Sequence, residues 1–278
     1  MSQKIGNNSQ AIQAQGDVNI GLSYKDVKEI VYDLFEQNFP KLVEEAQNSA
    51  KENVDSYIER LEENLRAKID SIDLNKFKDP NTQFLLNSSI RIAARKGNKV
   101  NLDLLSETLI SSLRNNNTEM LNIVAEQALE AIPKLTARQI NILSIIQYLL
   151  HMRLQGLQDY SQAEPNNKII LEITKDIDSE ETLNMQYLSS LGIATFNQFQ
   201  GINPYEAIKG QYEYLFKDKS ASEVEKIIAE KSPSMKMMAD KYKELNLRYL
   251  SLTPTGVLIA LINLRRVFRN IDYTIWIK

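Results

Sequence analysis

The chain has no cysteine and a single histidine, His151. The first absence removes disulfides and thiol nucleophiles and fits a reducing compartment. Together the two exclude a Cys–His nucleophilic pair and, within one chain, a zinc site built from several His or Cys ligands. No GxxxxGK[ST] or GxGxxG segment follows a strand-like run, so phosphate-cradling loops are missing as well. Glycine (9 residues) and proline (7) are scarce in 278 residues, which favours long helices over many-stranded sheets. The longest apolar run, Val257 to Ile262, falls far short of the ~20 residues a membrane helix needs. The opening MSQKIGNNSQ has no apolar signal-peptide core, so the expected location is the cytoplasm, with no membrane span. A net charge of −3 argues against bulk attraction to nucleic acid or an anionic membrane. Neither a cofactor nor a metal is expected.

What is there is mostly helical. Ser23 with Asp26 resembles a capping box before Val27, Ile30, Val31, Leu34 and Phe35 at helical spacing. After Asn38-Phe39-Pro40 a longer helix is expected from Lys41 to Ser71, with Val43, Ala46, Ala50, Val54, Tyr57, Leu61 and Leu65 as a narrow seam of coiled-coil type. Asp79-Pro80 reads as a cap with proline at the first helical position, opening a helix to about Arg95. Further helices follow over Leu102 to Leu113, around Met120 to Leu129, and from Thr136, capped with Gln139, to Met152. The run Gln155 to Asn167 reads as a loop and a boundary. Beyond it the chain is mixed: a helix end, a glycine turn and a short strand over Leu188 to Phe196, helices at Tyr205 to Phe216 and Ser222 to Glu230, and a strand at Tyr249 to Leu252. Thr253-Pro254 then opens a helix to about Phe268, and Asp272 to Lys278 closes the chain as an expected strand. The fold class is therefore mainly α: a helical array with an N-terminal β-oligomerisation strand and a small α+β, winged-helix-like C-terminal region. The expected divisions are 1–21 (leader), 22–75 (long helices), 76–154 (helical bundle) and 155–278 (mixed).

The leader, Ser9 to Gly21, alternates. Ile12, Ala14, Gly16, Val18 and Ile20 take one parity, and Gln13, Gln15, Asp17 and Asn19 the other, which gives a strand one apolar and one polar face. Disorder, pairing with Tyr249 to Leu252 or Ile271 to Ile277, and pairing with other copies are its three fates. Self-pairing satisfies both backbone and apolar face. Asp17 selects the form, because an open in-register fibril would stack its charge every ~4.8 Å, whereas a closed ring turns it to water. The expectation is a finite homo-oligomer packed by Ile12, Val18 and Ile20 and bridged by Gln13, Gln15 and Asn19.

No catalytic constellation stands out. Glu44-Glu45 and Glu62-Glu63 are neighbours on helices and face different directions, as solvated surfaces do. Two basic sets remain: Arg91, Arg95, Lys96 and Lys99 near one helix end, and Arg265, Arg266 and Arg269 near another. Both read first as complements to the negative end of a helix dipole. Their sharper reading is contact with nucleic-acid phosphates, which the acidic balance does not favour.

Three stretches carry a resemblance. RIAARKGNKVNLDLLSETLISSL (Arg91 to Leu113) leads to AIPKLTARQINILSII (Ala131 to Ile146); LSSLGIAT (Leu188 to Thr195) and YLSLTPTGVLIALI (Tyr249 to Ile262) follow. In this order they resemble the abortive infection alpha family of bacterial proteins, and the last two also look like pieces of a winged helix. The leader resembles β motifs of bacterial conflict and amyloid-signalling proteins. The resemblance implies a non-enzymatic role in antiphage defence, with a phage or host protein as partner and cell dormancy or death as an output. It supplies no catalytic residue. The roughly fifty residues between Gln198 and Leu247 depart from a simple winged helix, whose wing is short.

Overall fold

The structure, a computed structural model, describes residues 23–38, 44–115, 118–175, 177, 182–199, 201–269 and 271–278. The leader, including Ile12, Gln13, Gln15, Asp17, Val18, Asn19 and Ile20, lies outside them. Thirteen α-helices, seven short 3-10 helices and one two-stranded sheet make up the regular structure of the described residues, a mainly α fold.

The N-terminal half runs through α1 (Tyr24–Asn38), α2 (Glu44–Arg66), α3 (Pro80–Lys96), α4 (Leu102–Ser112), α5 (Glu119–Ala131) and α6 (Ala137–His151). Its starts are set by local chemistry. Ser23 N–H donates to Asp26 Oδ2 at 2.7 Å while Asp26 N–H donates to Ser23 Oγ at 3.3 Å, a reciprocal box that satisfies two otherwise orphaned donors. Asp79 caps α3 and Thr136–Gln139 closes a second box on α6. The α2 seam is buried from Ala50 through Val54, Tyr57, Leu61 and Leu65 and packs on α3 and α4 of the same chain, whereas Ala46 is exposed. The seam also takes Ile58, and Tyr57 donates to Ser89 Oγ at 2.8 Å inside it. The helix stops at Arg66 rather than Ser71, and Ile69–Ser71 form a 3-10 turn instead.

The C-terminal half comprises α7 (Glu164–Ile173), α8 (Thr182–Ser190), β1 (Ala194–Phe196), α9 (Pro204–Gln211), α10 (Glu213–Phe216), α11 (Ala221–Lys231), α12 (Pro233–Glu244), β2 (Leu250–Leu252) and α13 (Pro254–Leu264). Two expectations change here. The stretch Gln155 to Asn167 is not all loop: Asp159 and Gln162 form a capping box over the 3-10 turn Tyr160–Ala163, and α7 starts at Glu164 with proline in its first turn. The closing segment is a 3-10 turn, Tyr273–Ile275, and not a strand. Asp272 takes the cap, accepting from Thr274 N–H at 3.0 Å and from its hydroxyl at 2.7 Å, and this local bond outcompetes the β tendency of Tyr, Ile and Trp.

β1 and β2 pair antiparallel, Ala194 opposite Leu252 and Phe196 opposite Leu250, with α9 to α12 inserted between them. The step from β2 into α13 is tightly built. Thr253 caps α13 through Gly256 N–H (3.3 Å) and its hydroxyl reaches the Gly192 carbonyl at 2.7 Å. A Cβ at Gly256 would lie 2.1 Å from the Ile193 carbonyl oxygen, so glycine is the residue that lets the helix approach the strand. α13 is buried on nearly all sides and packs on α4, α5 and α6. Polar pins fix its register: Thr255 donates to Gln127 Oε1 at 2.7 Å and Asn263 to Ser144 Oγ at 2.9 Å. A second buried network, Tyr148–Asn167–Ser232–Glu164–Ser234, joins α6 and α7 to the start of α12.

Candidate functional site

Where α2 ends, α4 passes and α13 stops, a cleft of about 960 Å³ opens. Lys68 follows the last turn of α2, Glu107 projects from α4, and Arg265 is the C-cap of α13. Glu107 binds both cations, closely to Lys68 Nζ and at 3.3 Å to Arg265 Nη1, and the three side chains are only 10–13% exposed. Arg114 enters from the turn after α4. Two backbone bonds hold that turn against the chain after α2, Asp73 N–H to Leu113 O (3.0 Å) and Asn115 N–H to Ser71 O (3.2 Å).

Behind the cleft's lining, Tyr273 links two of its cations. Its ring, fully buried, lies under two guanidiniums, Arg114 at 4.5 Å and Arg265 at 5.8 Å, and its hydroxyl accepts from Arg265 Nη1 at 3.1 Å. Burial pushes the Tyr273 hydroxyl up to about 12, against the pull of Arg265. Burial also drives Lys68 down to about 8, a shift that Glu107 opposes and the neighbouring Arg265 and Arg114 reinforce. Arg114 is lowered for the same first reason. Its Nη1 donates to the Ile271 carbonyl at 3.3 Å, but its Nε is buried without a hydrogen-bond partner among the described residues.

The mouth of the cleft carries Arg266 and Arg269, both exposed, together with Asp70, Asp103 and Asp272. Asp103 faces Arg60 at 3.6 Å and Asp272 is spent on its own turn. The structure thus divides the second basic set. Arg265 is internal, with Nη2 also donating to the Arg269 carbonyl at 2.9 Å, while Arg266 and Arg269 present their charge to the cleft. The first set is elsewhere: Arg91 and Arg95 lie exposed on α3, and Lys96 donates to the Pro133 carbonyl at 3.2 Å. His151 is exposed at the end of α6, its carbonyl accepting from the Trp276 indole at 3.3 Å.

Chemically the arrangement can hold an anion: Lys68, Arg114, Arg265, Arg266 and Arg269 outnumber Asp70, Asp103, Glu107 and Asp272 by one on the cleft's lining, and one buried guanidinium donor lacks an acceptor among the described residues. Among the described residues no group of three or more His, Asp or Glu could hold a metal ion, and no helix is long and apolar enough to cross a membrane. Sequence patterning singled out Arg265, Arg266 and Arg269 but not Lys68, Glu107, Arg114 or Tyr273. None of those four carries a local signal of the site in the sequence, and only the tertiary fold makes them neighbours.

No curated protein and no solved structure matches the chain. One protein-family model does, over residues 21–221 and again over 215–277. The match takes in nearly the whole chain, the cleft included, and the chain belongs to the family that this model describes, to which no activity is assigned.

Proposed function

We propose that this protein is a homo-oligomeric, cytoplasmic component of bacterial antiphage defence that acts by binding rather than by catalysis, and that the cleft is its ligand site. The observation that carries the binding part is the convergence of Lys68, Arg114, Arg265, Arg266 and Arg269 on one cleft, with Arg114 Nε buried and lacking an acceptor. A phosphate group supplies acceptors on several sides and matches the guanidinium fork. The defence part rests on the resemblance of Arg91 to Leu113, Leu188 to Thr195 and Tyr249 to Ile262 to the abortive infection alpha family, and the assembly part on the alternation in the leader. A phage or host protein is the expected downstream partner. Nucleic acid is the second reading, favoured by the same exposed arginines.

The test is phage plating on cells producing the full chain, a chain lacking residues 1–21, and Arg266→Glu/Arg269→Glu. Protection by the full chain and loss in both variants is expected, with mass photometry giving a discrete oligomer for the first and a monomer for the second. Equal protection by all three would end the reading.

A further inference from the structure

Lys68 is the most enclosed of the ion-paired lysines among the described residues. Its side chain is 10% exposed, against 28–84% for Lys25, Lys175, Lys231, Lys236 and Lys243. The backbone beneath it is fixed just past the end of α2. Lys68 N–H donates to Leu65 O at 3.1 Å, and the Lys68 carbonyl accepts from Ser71 N–H at 2.9 Å and from its hydroxyl at 3.0 Å. The residue nevertheless lines the anion cleft. An amine kept from water beside other cations gives up its charge readily, and the neutral amine is the form that attacks carbon. Burial and the guanidiniums of Arg265 and Arg114 push Lys68 that way, against Glu107.

The neighbours of that amine select what it can meet. Glu107 touches Lys68 Nζ and holds Arg265 Nη1 at 3.3 Å, so a second negative charge arriving at Nζ is repelled. The end of a ligand that suits Lys68 is therefore uncharged. Its negative end belongs elsewhere in the same cleft. Arg266 is exposed there without an ion-pair partner among the described residues, and the buried Arg114 Nε lacks an acceptor. The covalent product is constrained as well. An amide at Lys68 would cancel one of the two positive charges that hold Glu107, whereas an iminium keeps it.

We propose that Lys68 captures a small phosphorylated aldehyde or ketone as an imine, with the phosphate on Arg266 and Arg114 Nε and with Glu107 relaying protons. This names the ligand class of the cleft and rests on its reading as an anion site. Glu107 accepts a proton from the ammonium, and Nζ attacks the carbonyl carbon. The N–C bond forms as the π pair of the carbonyl moves to oxygen. That oxygen leaves as water, carrying two protons drawn from the nitrogen through Glu107, and the C=N bond closes. One ammonium and one carbonyl thus give one iminium and one water, with no oxidant or reductant. Exclusion of water around Nζ favours the product.

The test is incubation of the full-length protein with glyceraldehyde 3-phosphate and cyanoborohydride, which reduces an iminium to a stable amine. Peptide mass spectrometry then reads each lysine. Lys68 should be labelled about tenfold faster than the exposed Lys25, Lys51 and Lys278 in the same sample. Its rate should level off above about pH 8, while theirs still climbs toward the ordinary lysine value of 10.5. Glyceraldehyde without the phosphate should lose the preference, as should Arg266→Glu. Inorganic tripolyphosphate should protect Lys68 and leave the three exposed lysines unaffected. If tripolyphosphate binds in calorimetry but Lys68 reacts no faster than the exposed lysines, the capture is overturned and the anion reading stands. Equal labelling of Lys68 by glyceraldehyde and by its phosphate would overturn it too. No binding of tripolyphosphate would bring down the anion reading, and the capture with it.

Discussion

Replacing Glu107 by glutamine should separate the stability of the cleft from its affinity. The carboxylate serves Lys68 and Arg265 together, with all three side chains 10–13% exposed. The amide keeps the shape and one acceptor oxygen but removes the charge, and it leaves an ammonium and a guanidinium facing each other with Arg114 close by. Removing one member of a buried ion pair costs about 3–5 kcal/mol, and the surviving acceptor places Glu107→Gln at the lower end, about 3 kcal/mol. For a chain of this size that is a fall in Tm of about 6–12 °C. Lys68→Met alone should cost less than about 1 kcal/mol, because Glu107 keeps Arg265 and because burial already disfavours the Lys68 charge. In the double variant the two effects should not add, with a coupling of about 2 kcal/mol. Urea unfolding followed by circular dichroism measures all three. At the same time Glu107→Gln should bind anions more tightly than the wild type, since two cations are released. A cost below about 0.5 kcal/mol, typical of an exposed pair, or strict additivity in the cycle would refute the buried-cluster argument.

Gly256→Ala should destabilise by about 3 kcal/mol, because its Cβ meets the Ile193 backbone carbonyl at 2.1 Å and neither α13 nor β1 can retreat cheaply; thermal unfolding reads it out. Anion affinity should fall as pH rises through about 8, where Lys68 loses its proton, and this step should be missing in Lys68→Met, a difference that cancels the ligand's own titration. The linked effect on folding has the opposite sense. Between about pH 8 and the ordinary lysine value of 10.5 the unfolded chain binds a proton that folded Lys68 does not, so this group's contribution to stability rises with pH across that window.

The sequence announced those elements whose cause is local. Ser23–Asp26, Asp79-Pro80, Thr136–Gln139 and Thr253-Pro254 each cap a helix through bonds spanning at most a few residues, and all of them stand in the structure. Competition between two local signals misled at Asp272 to Lys278, where an aspartate cap beat a β-prone run. The pairing of β1 with β2 was out of reach for a different reason: four helices separate the strands in the chain, and what closes the gap is the contact of Gly256 with Ile193. The cleft divides likewise. Arg265, Arg266 and Arg269 were visible as a cluster. Glu107 and Lys68 carry no such signal, since nothing within their own turns tells that α13 will end beside them and exclude water.

The measurement that bears most directly on the central claim is isothermal titration calorimetry of full-length protein with inorganic tripolyphosphate at low salt. One site per chain is expected, weakened at least tenfold in Arg266→Glu/Arg269→Glu and strengthened in Glu107→Gln. No binding by the wild type, or the same affinity in all three proteins, would contradict the assignment of the cleft as the ligand site.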